Sequence, residues 1–207
     1  MTPRELAEVE GKPIALGWID AALAALRAHL DALVVGEAPG PDDVVTAALA
    51  TNFSLGASSG IARIAYVWLI LGTFTRARDV IVRSDRFFSS VTLDEARALF
   101  PAGAAVPPAY AMFGHGVFFT PCFAPYDAAT GSGFGPRCRA AMVVHESVHV
   151  VDSLSGRPDV HVSEWQEPAF SAQTPWQSVH NPSAYASFAA QVASGALAWP
   201  PSARYGA

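Results

Sequence analysis

The chain has 207 residues, enough for one full domain or a domain with an added helical lobe. Hydrophobic residues make up 51% and charged residues 15%, so apolar material for a core is ample. A formal net charge of -5, with no basic run anywhere, argues against nucleic-acid binding, which needs clustered Lys and Arg on phosphates.

Residues 1–20 carry acidic groups where a secretory leader would be positive, and they lack an uninterrupted apolar stretch, so no secretory signal is expected there. Ile14, Ile19, Ala22, Leu23, Leu26, Leu30 and Leu33 recur at three- and four-residue steps, which predicts an amphipathic helix. The segment "GEAPGPDD" breaks it, and Pro41-Asp42-Asp43 reads as the entry to a second helix reaching about Asn52. Residues 58–90 are more apolar all round and are expected to form the helical backing of the core. Their richest run, "IARIAYVWLILGTF", contains an arginine and is too short to span a bilayer, so neither a membrane segment nor a membrane partner is expected. A short helix is expected from Thr92, with Glu95 at the capping-box position.

The character changes after Pro101. Residues 109–123 mix aromatic and β-branched side chains with glycines, which predicts one or two short strands. A Gly/Pro-rich loop follows, flanked by Cys122 and Cys138. A disulfide there suits an oxidising compartment and two thiols suit a reducing one; without Cys-x-x-Cys spacing, neither a thiolate metal site nor a redox pair is indicated. Residues 139–154 read as a helix stopped by Gly156, and an irregular stretch with Pro158, Pro168 and Pro175 follows. A last helix is capped by Asn181, has Pro182 at its first position and ends at Gly195. The expected class is α+β, mostly helical with a small sheet just before the residue 139–154 helix. An N-terminal helical region over residues 1–100 would pack on a catalytic region over 101–207, within one continuous domain.

The 139–154 helix carries H-E-x-x-H at His145, Glu146 and His149. On a helix the two histidines lie one turn apart on one face, so both imidazoles can ligate one ion. Glu146 is offset around the axis and would meet a zinc-acidified water, deprotonating it for attack on a carbonyl. The flanking "AAMVV" and "VV" predict a helix buried on its other faces, where two histidines and a glutamate without partners would be costly. Asp152 continues the same face but lies a turn beyond the ion, which suits a partner orienting an imidazole. A catalytic zinc wants a third protein ligand, and Asp159, His161, Glu164 and Glu167 follow within reach.

"HESVH", "GRPD" and "HNPSAYASFA", taken together, resemble the aspzincin metallopeptidases, the group of deuterolysins and lysine-specific metalloendopeptidases. Those proteins carry H-E-x-x-H, then G-T-x-D-x-x-Y-G, then a helix beginning N-A-D-x-Y-x-x-F. Gly156 and Asp159 match the second motif; Asn181, Tyr185 and Phe188 match the third; the likeness covers roughly Ala109 to Val192. The resemblance implies a zincin-like fold, zinc held by His145, His149 and Asp159, Glu146 as general base and a peptide or protein substrate. Glu164 stands as the rival third ligand. The family tyrosine that stabilises the oxyanion falls on Val162, which would pass that role to His161, to Tyr185 or to nothing. Ser183 and Ala186 replace the acidic residues that read a substrate lysine, so lysine specificity is not implied. A small, apolar pocket wall, with Trp165, Phe170 and Trp176 nearby, would suit an uncharged side chain. The strand "GHGVFF", with His115, would pair with an extended substrate. Two other readings stand beside a peptidase: a zincin scaffold that binds without efficient turnover, and a zinc hydrolase acting on a small molecule.

Overall fold

A computed structural model of the chain describes residues 1–37, 39–40, 42–157 and 160–199. Helix α1 (Pro3–Leu6) is closed by a capping box between Thr2 and Glu5 and runs through a π-helical turn (Ala7–Gly11) into α2 (Lys12–Val34). Helix α3 (Val44–Phe53) is capped by the Asp43 carboxylate, which accepts from the Thr46 amide at 2.7 Å. Helix α4 (Gly60–Val82) backs the core as expected and is followed by a single turn, α5 (Ser84–Phe87). The residues after it depart from the helical reading, because Phe88–Ser90 form a strand, β1. Helix α6 (Leu93–Arg97) begins at the Thr92–Glu95 capping box. Strands β2 (Ala109–Met112) and β3 (Gly116–Phe119) precede α7 (Pro136–Ser155), which is followed by α8 (Pro175–Ser178) and α9 (Pro182–Ser194). The architecture is therefore α+β, dominated by helices, with one small sheet.

The sheet has the order β1-β3-β2, with β3 parallel to β1 and antiparallel to β2. This corrects one expectation. The "GHGVFF" strand lies in the middle of the sheet, so its backbone groups are already committed on both sides, and β2 forms the edge beside α7. Gly116 is required where β3 meets β1: its φ is +126°, and a Cβ there would stand 2.3 Å from the Phe87 carbonyl oxygen.

One hydrophobic cluster runs from Leu6 to Ala190, so the N-terminal helices and the later elements share a core. Helix α7 lies within it, packed by α2, α4, α9 and the π-turn, with β2 and β3 against another side. Gly11 allows the π-turn to approach α7 closely, since a Cβ would meet Val143 at 3.1 Å. The buried Arg139 guanidinium ties the start of α7 to the Glu10 carboxylate and the Phe134 carbonyl. Behind α7, Phe53, Phe74, Tyr185 and Phe188 form an aromatic cluster with ring centroids 5.0–5.8 Å apart. Among the described residues no helix is long and apolar enough to cross a membrane.

Candidate metal centre

Helix α7 buries Ala140, Val143, Val144, Ser147, Val148, Val150 and Val151 against its neighbours. The remaining stripe, Cys138, Ala141, Met142, His145, Glu146, His149, Asp152 and Ser153, lines a cleft of about 1040 Å³. Those positions recur at three and four residues, the spacing of one helix face, so the apolar pattern that buries the helix also selects which residues face the cleft.

Gly156, with φ +64°, ends α7 in the left-handed conformation and turns the chain back across the cleft. Two tethers hold the returning segment on either side of His161. The Val160 amide donates to the His180 carbonyl at 3.3 Å, and Asn181 Nδ2 donates to the Val162 carbonyl at 2.7 Å. Asn181 is itself buried; its Oδ1 accepts from the Ser183 amide to cap α9, and its Nδ2 also reaches Gln173. One side chain thus fixes the start of α9 and the segment carrying His161 together.

The result is a cluster of three imidazoles. His145 Nε2 lies 3.1 Å from His149 Nε2 and 3.3 Å from His161 Nε2, and the three ligating atoms lie within 4.8 Å of one another. A zinc ion about 2.0–2.1 Å from each nitrogen in tetrahedral geometry separates its ligands by roughly 3.3–3.4 Å, so the two short edges fit. Ser183 Oγ lies 3.2 Å from His145 Nδ1. With Nδ1–H donating to that hydroxyl, Nε2 keeps its lone pair directed at the other two rings. Burial, reinforced by the two neighbouring imidazoles, holds His145 well below the usual histidine range, so it is neutral at pH 7.

The other sequence candidates are distributed around this cluster. Glu146 and Glu164 are both buried and both line the cleft; Asp159 lies outside the described residues. Glu167 is exposed, accepts from Ser171 Oγ at 2.6 Å and does not reach the cleft. Asp152 stands 3.4 Å from Arg157, which also donates to Thr73 at 2.9 Å and so ties the end of α7 to α4. Tyr185 is fully buried between Phe53 and Phe74 and donates to the Val179 carbonyl at 2.8 Å, behind the cleft rather than in it. Burial pushes its phenol up, so it stays protonated. His115 sits exposed in the β2–β3 turn and, like Phe170 and Trp176, does not line the cleft, whereas Trp165 does. Cys122 and Cys138 are free thiols, and Cys138 lines the cleft with its thiol pushed up by burial and the nearby Glu164.

Reading the sequence for ligands placed His161 only among several candidates and gave Ser183 and Asn181 no part in the metal site. The available signal was Val162 next to His161, an apolar side chain that packs against the core in a segment that otherwise reads as loop. No family model, no curated protein and no solved structure matches the chain.

Proposed function

We propose that the protein is a zinc-dependent metallopeptidase of zincin-like architecture, with His145, His149 and His161 holding the metal and Glu146 acting as general base. The observation that carries this reading is the convergence of three imidazole nitrogens in a cleft that also contains Glu146 and is bordered by the edge strand β2. The sequence resemblance to the aspzincins, through "HESVH", "GRPD" and "HNPSAYASFA", supports the peptidase class and the roles of His145, Glu146 and His149, while implying Asp159 rather than His161 as the third ligand.

The donor set suits zinc: two of the three edges between imidazole nitrogens, 3.1 and 3.3 Å, match tetrahedral spacing, and one ring has a hydroxyl beside its far nitrogen. Zinc, when bound, supplies Lewis acidity that polarises the scissile carbonyl and acidifies water. Among the described residues strand β2 pairs on one side only, which leaves an edge along which an extended peptide would align by backbone hydrogen bonds. Glu146 accepts the proton of the attacking water and passes it to the departing amine nitrogen.

The test is Glu146→Gln in the zinc-loaded full chain. Zinc should remain bound while cleavage of a mixed peptide library falls by about a hundredfold or more; unchanged cleavage would refute the assignment.

One observation favours a second reading, a zincin scaffold that binds peptide with little turnover. Val162 replaces the family's oxyanion tyrosine, and Tyr185 is sequestered in the core. Losing such a donor commonly costs about a hundredfold or more in rate. Zinc binding and peptide binding with no detectable cleavage would favour the scaffold.

A further inference from the structure

We infer that the solvent face of α4 is a dimerisation surface, on which a second copy of this chain docks its own α4 antiparallel to the first.

Helix α4 buries Val67, Ile70, Phe74, Ala77 and Ile81 in the core, and the opposite side of such a helix ordinarily carries charge. Here it does not. No charged residue stands between Arg63 and Arg76, although Ile61 is 86% exposed, Trp68 is 57% exposed, and Ala65 and Thr75 are open to solvent. Ile61, Ile64, Trp68, Leu71 and Thr75 follow one another at alternating steps of three and four. That is the a and d spacing of a helix that packs on another helix. The nearby cations leave this seam clear: Arg63 turns to the His29 ring, 3.3 Å away, and Arg78 is drawn to Asp20 at 2.6 Å. An uncharged seam of this kind is an interaction surface rather than a solvated face.

The two ends of α4 select a second copy and fix its direction. The N-cap, Ser59, makes no side-chain cap bond and the first turn holds no acidic residue, so the positive end of the helix has no carboxylate of its own. Asp79, exposed and four residues beyond Thr75, lies on the seam side near the other end. Reversing one helix against its copy sets each a position opposite a d position, so Trp68 meets the copy's Leu71 and Leu71 meets the copy's Trp68. The same register lays Asp79 of each copy over Gly60 at the start of the other α4, where a carboxylate is stabilised. The two-fold axis makes this contact twice. Parallel packing would instead bring the two Asp79 side chains together and leave both N-termini without an anion.

The area sets the strength. At about 1.5 Å per residue, the 23 residues of α4 are about 35 Å long, and a strip about 10 Å wide gives roughly 350 Å² per copy. A standard interface takes about 800 Å² per partner, so the dimer is weak and exchanges with monomer.

Sedimentation velocity of the full chain from about 5 μM to about 500 μM is the test. The weight-average sedimentation coefficient should rise from that of a monomer toward that of a dimer across this range. Trp68→Glu alters a side chain that is mostly in solvent, so the fold should be kept, which circular dichroism of the same samples checks. It should weaken association by about a hundredfold or more. Asp79→Asn, a change of charge without a change of shape, should weaken it by about threefold to tenfold, with the difference erased by high salt. A chain that stays monomeric at every concentration, or a dimer that Trp68→Glu leaves intact, overturns the inference. So does a monomer that sediments with mixed phosphatidylcholine and phosphatidylserine vesicles through Trp68, which would give this face to a lipid surface. A dimer broken by Trp68→Glu but indifferent to Asp79→Asn overturns the antiparallel arrangement.

Discussion

Ser183 Oγ and His145 Nδ1 lie 3.2 Å apart, with the serine buried at the start of α9 and the histidine in the middle of α7. This contact sets which imidazole nitrogen is left to face the cluster, and it links the third sequence motif physically to the first. Ser183→Ala should leave the fold intact, because the change is small and α9 keeps its Asn181 cap. Zinc affinity should fall by about tenfold to a hundredfold, the usual effect of losing a group that orients a ligand. Competition with a chromogenic chelator measures this, and Ser183→Thr should restore most of the loss. Unchanged affinity in Ser183→Ala would remove the hydroxyl from the account.

Asn181 makes bonds in three directions, to the Ser183 amide, the Val162 carbonyl and Gln173. Removing it loses the α9 cap and leaves buried polar groups unpaired. Asn181→Ala should therefore cost about 2–4 kcal/mol of folding stability. Zinc affinity should fall as well, because the segment carrying His161 loses one of its two tethers. Urea unfolding and chelator competition together test both halves; a stability loss with unaltered zinc binding would show that the tether does not position His161.

Tyr185 offers a test of what the sequence resemblance implies against where the residue lies. Its hydroxyl donates to the Val179 carbonyl inside an aromatic cluster, away from the cleft. Tyr185→Phe should reduce stability by about 1–2 kcal/mol, since the Val179 carbonyl loses its donor. It should leave peptide cleavage within about twofold of the unmodified chain. A hundredfold drop in kcat at unchanged stability would restore it as an oxyanion donor.

Acid sensitivity should include a contribution from His29. It is buried on α2, 3.5 Å from the Asp43 carboxylate and 3.3 Å from Arg63. Desolvation and the Arg63 charge lower its pKa, and Asp43 opposes them only in part. A histidine depressed in the folded state is protonated first in the unfolded chain. Stability is therefore full above the ordinary histidine value of about 6.5 and declines as pH falls below it. His29→Gln should flatten the stability profile between about pH 6.5 and 5 in chemical denaturation. An unchanged slope would contradict the assignment.

Where the physics is local, the fold could be read from the chain. The Thr92–Glu95 box, the Asn181-Pro182 start and the Gly156 and Gly195 stops all appear where their side chains or φ angles require them. Strand β1 could not be read in this way. Phe88–Ser90 is three residues long and pairs with β3 almost thirty residues later, so nothing in "FFSS" announces it. The same limit hid which strand forms the sheet edge, because order within a sheet is set by pairing between distant segments. At the site, H-E-x-x-H at helical spacing was enough to place His145, Glu146 and His149 on one face. His161 depends on the Gly156 turn and on the Asn181 and His180 tethers, which bring a loop histidine across twelve residues of chain, and no spacing rule encodes that.

The central claim is that three imidazoles hold one metal, and zinc titration of the full chain beside His149→Ala, His161→Ala, Glu164→Ala and Asp159→Ala tests it most directly. One equivalent of zinc should bind the unmodified chain. His149→Ala and His161→Ala should each weaken it at least a hundredfold, beyond the loss a supporting partner causes, while Glu164→Ala and Asp159→Ala stay within about threefold of the unmodified chain. No stoichiometric zinc in the unmodified chain, or a His161→Ala variant that binds zinc as tightly as the unmodified chain, would contradict the account.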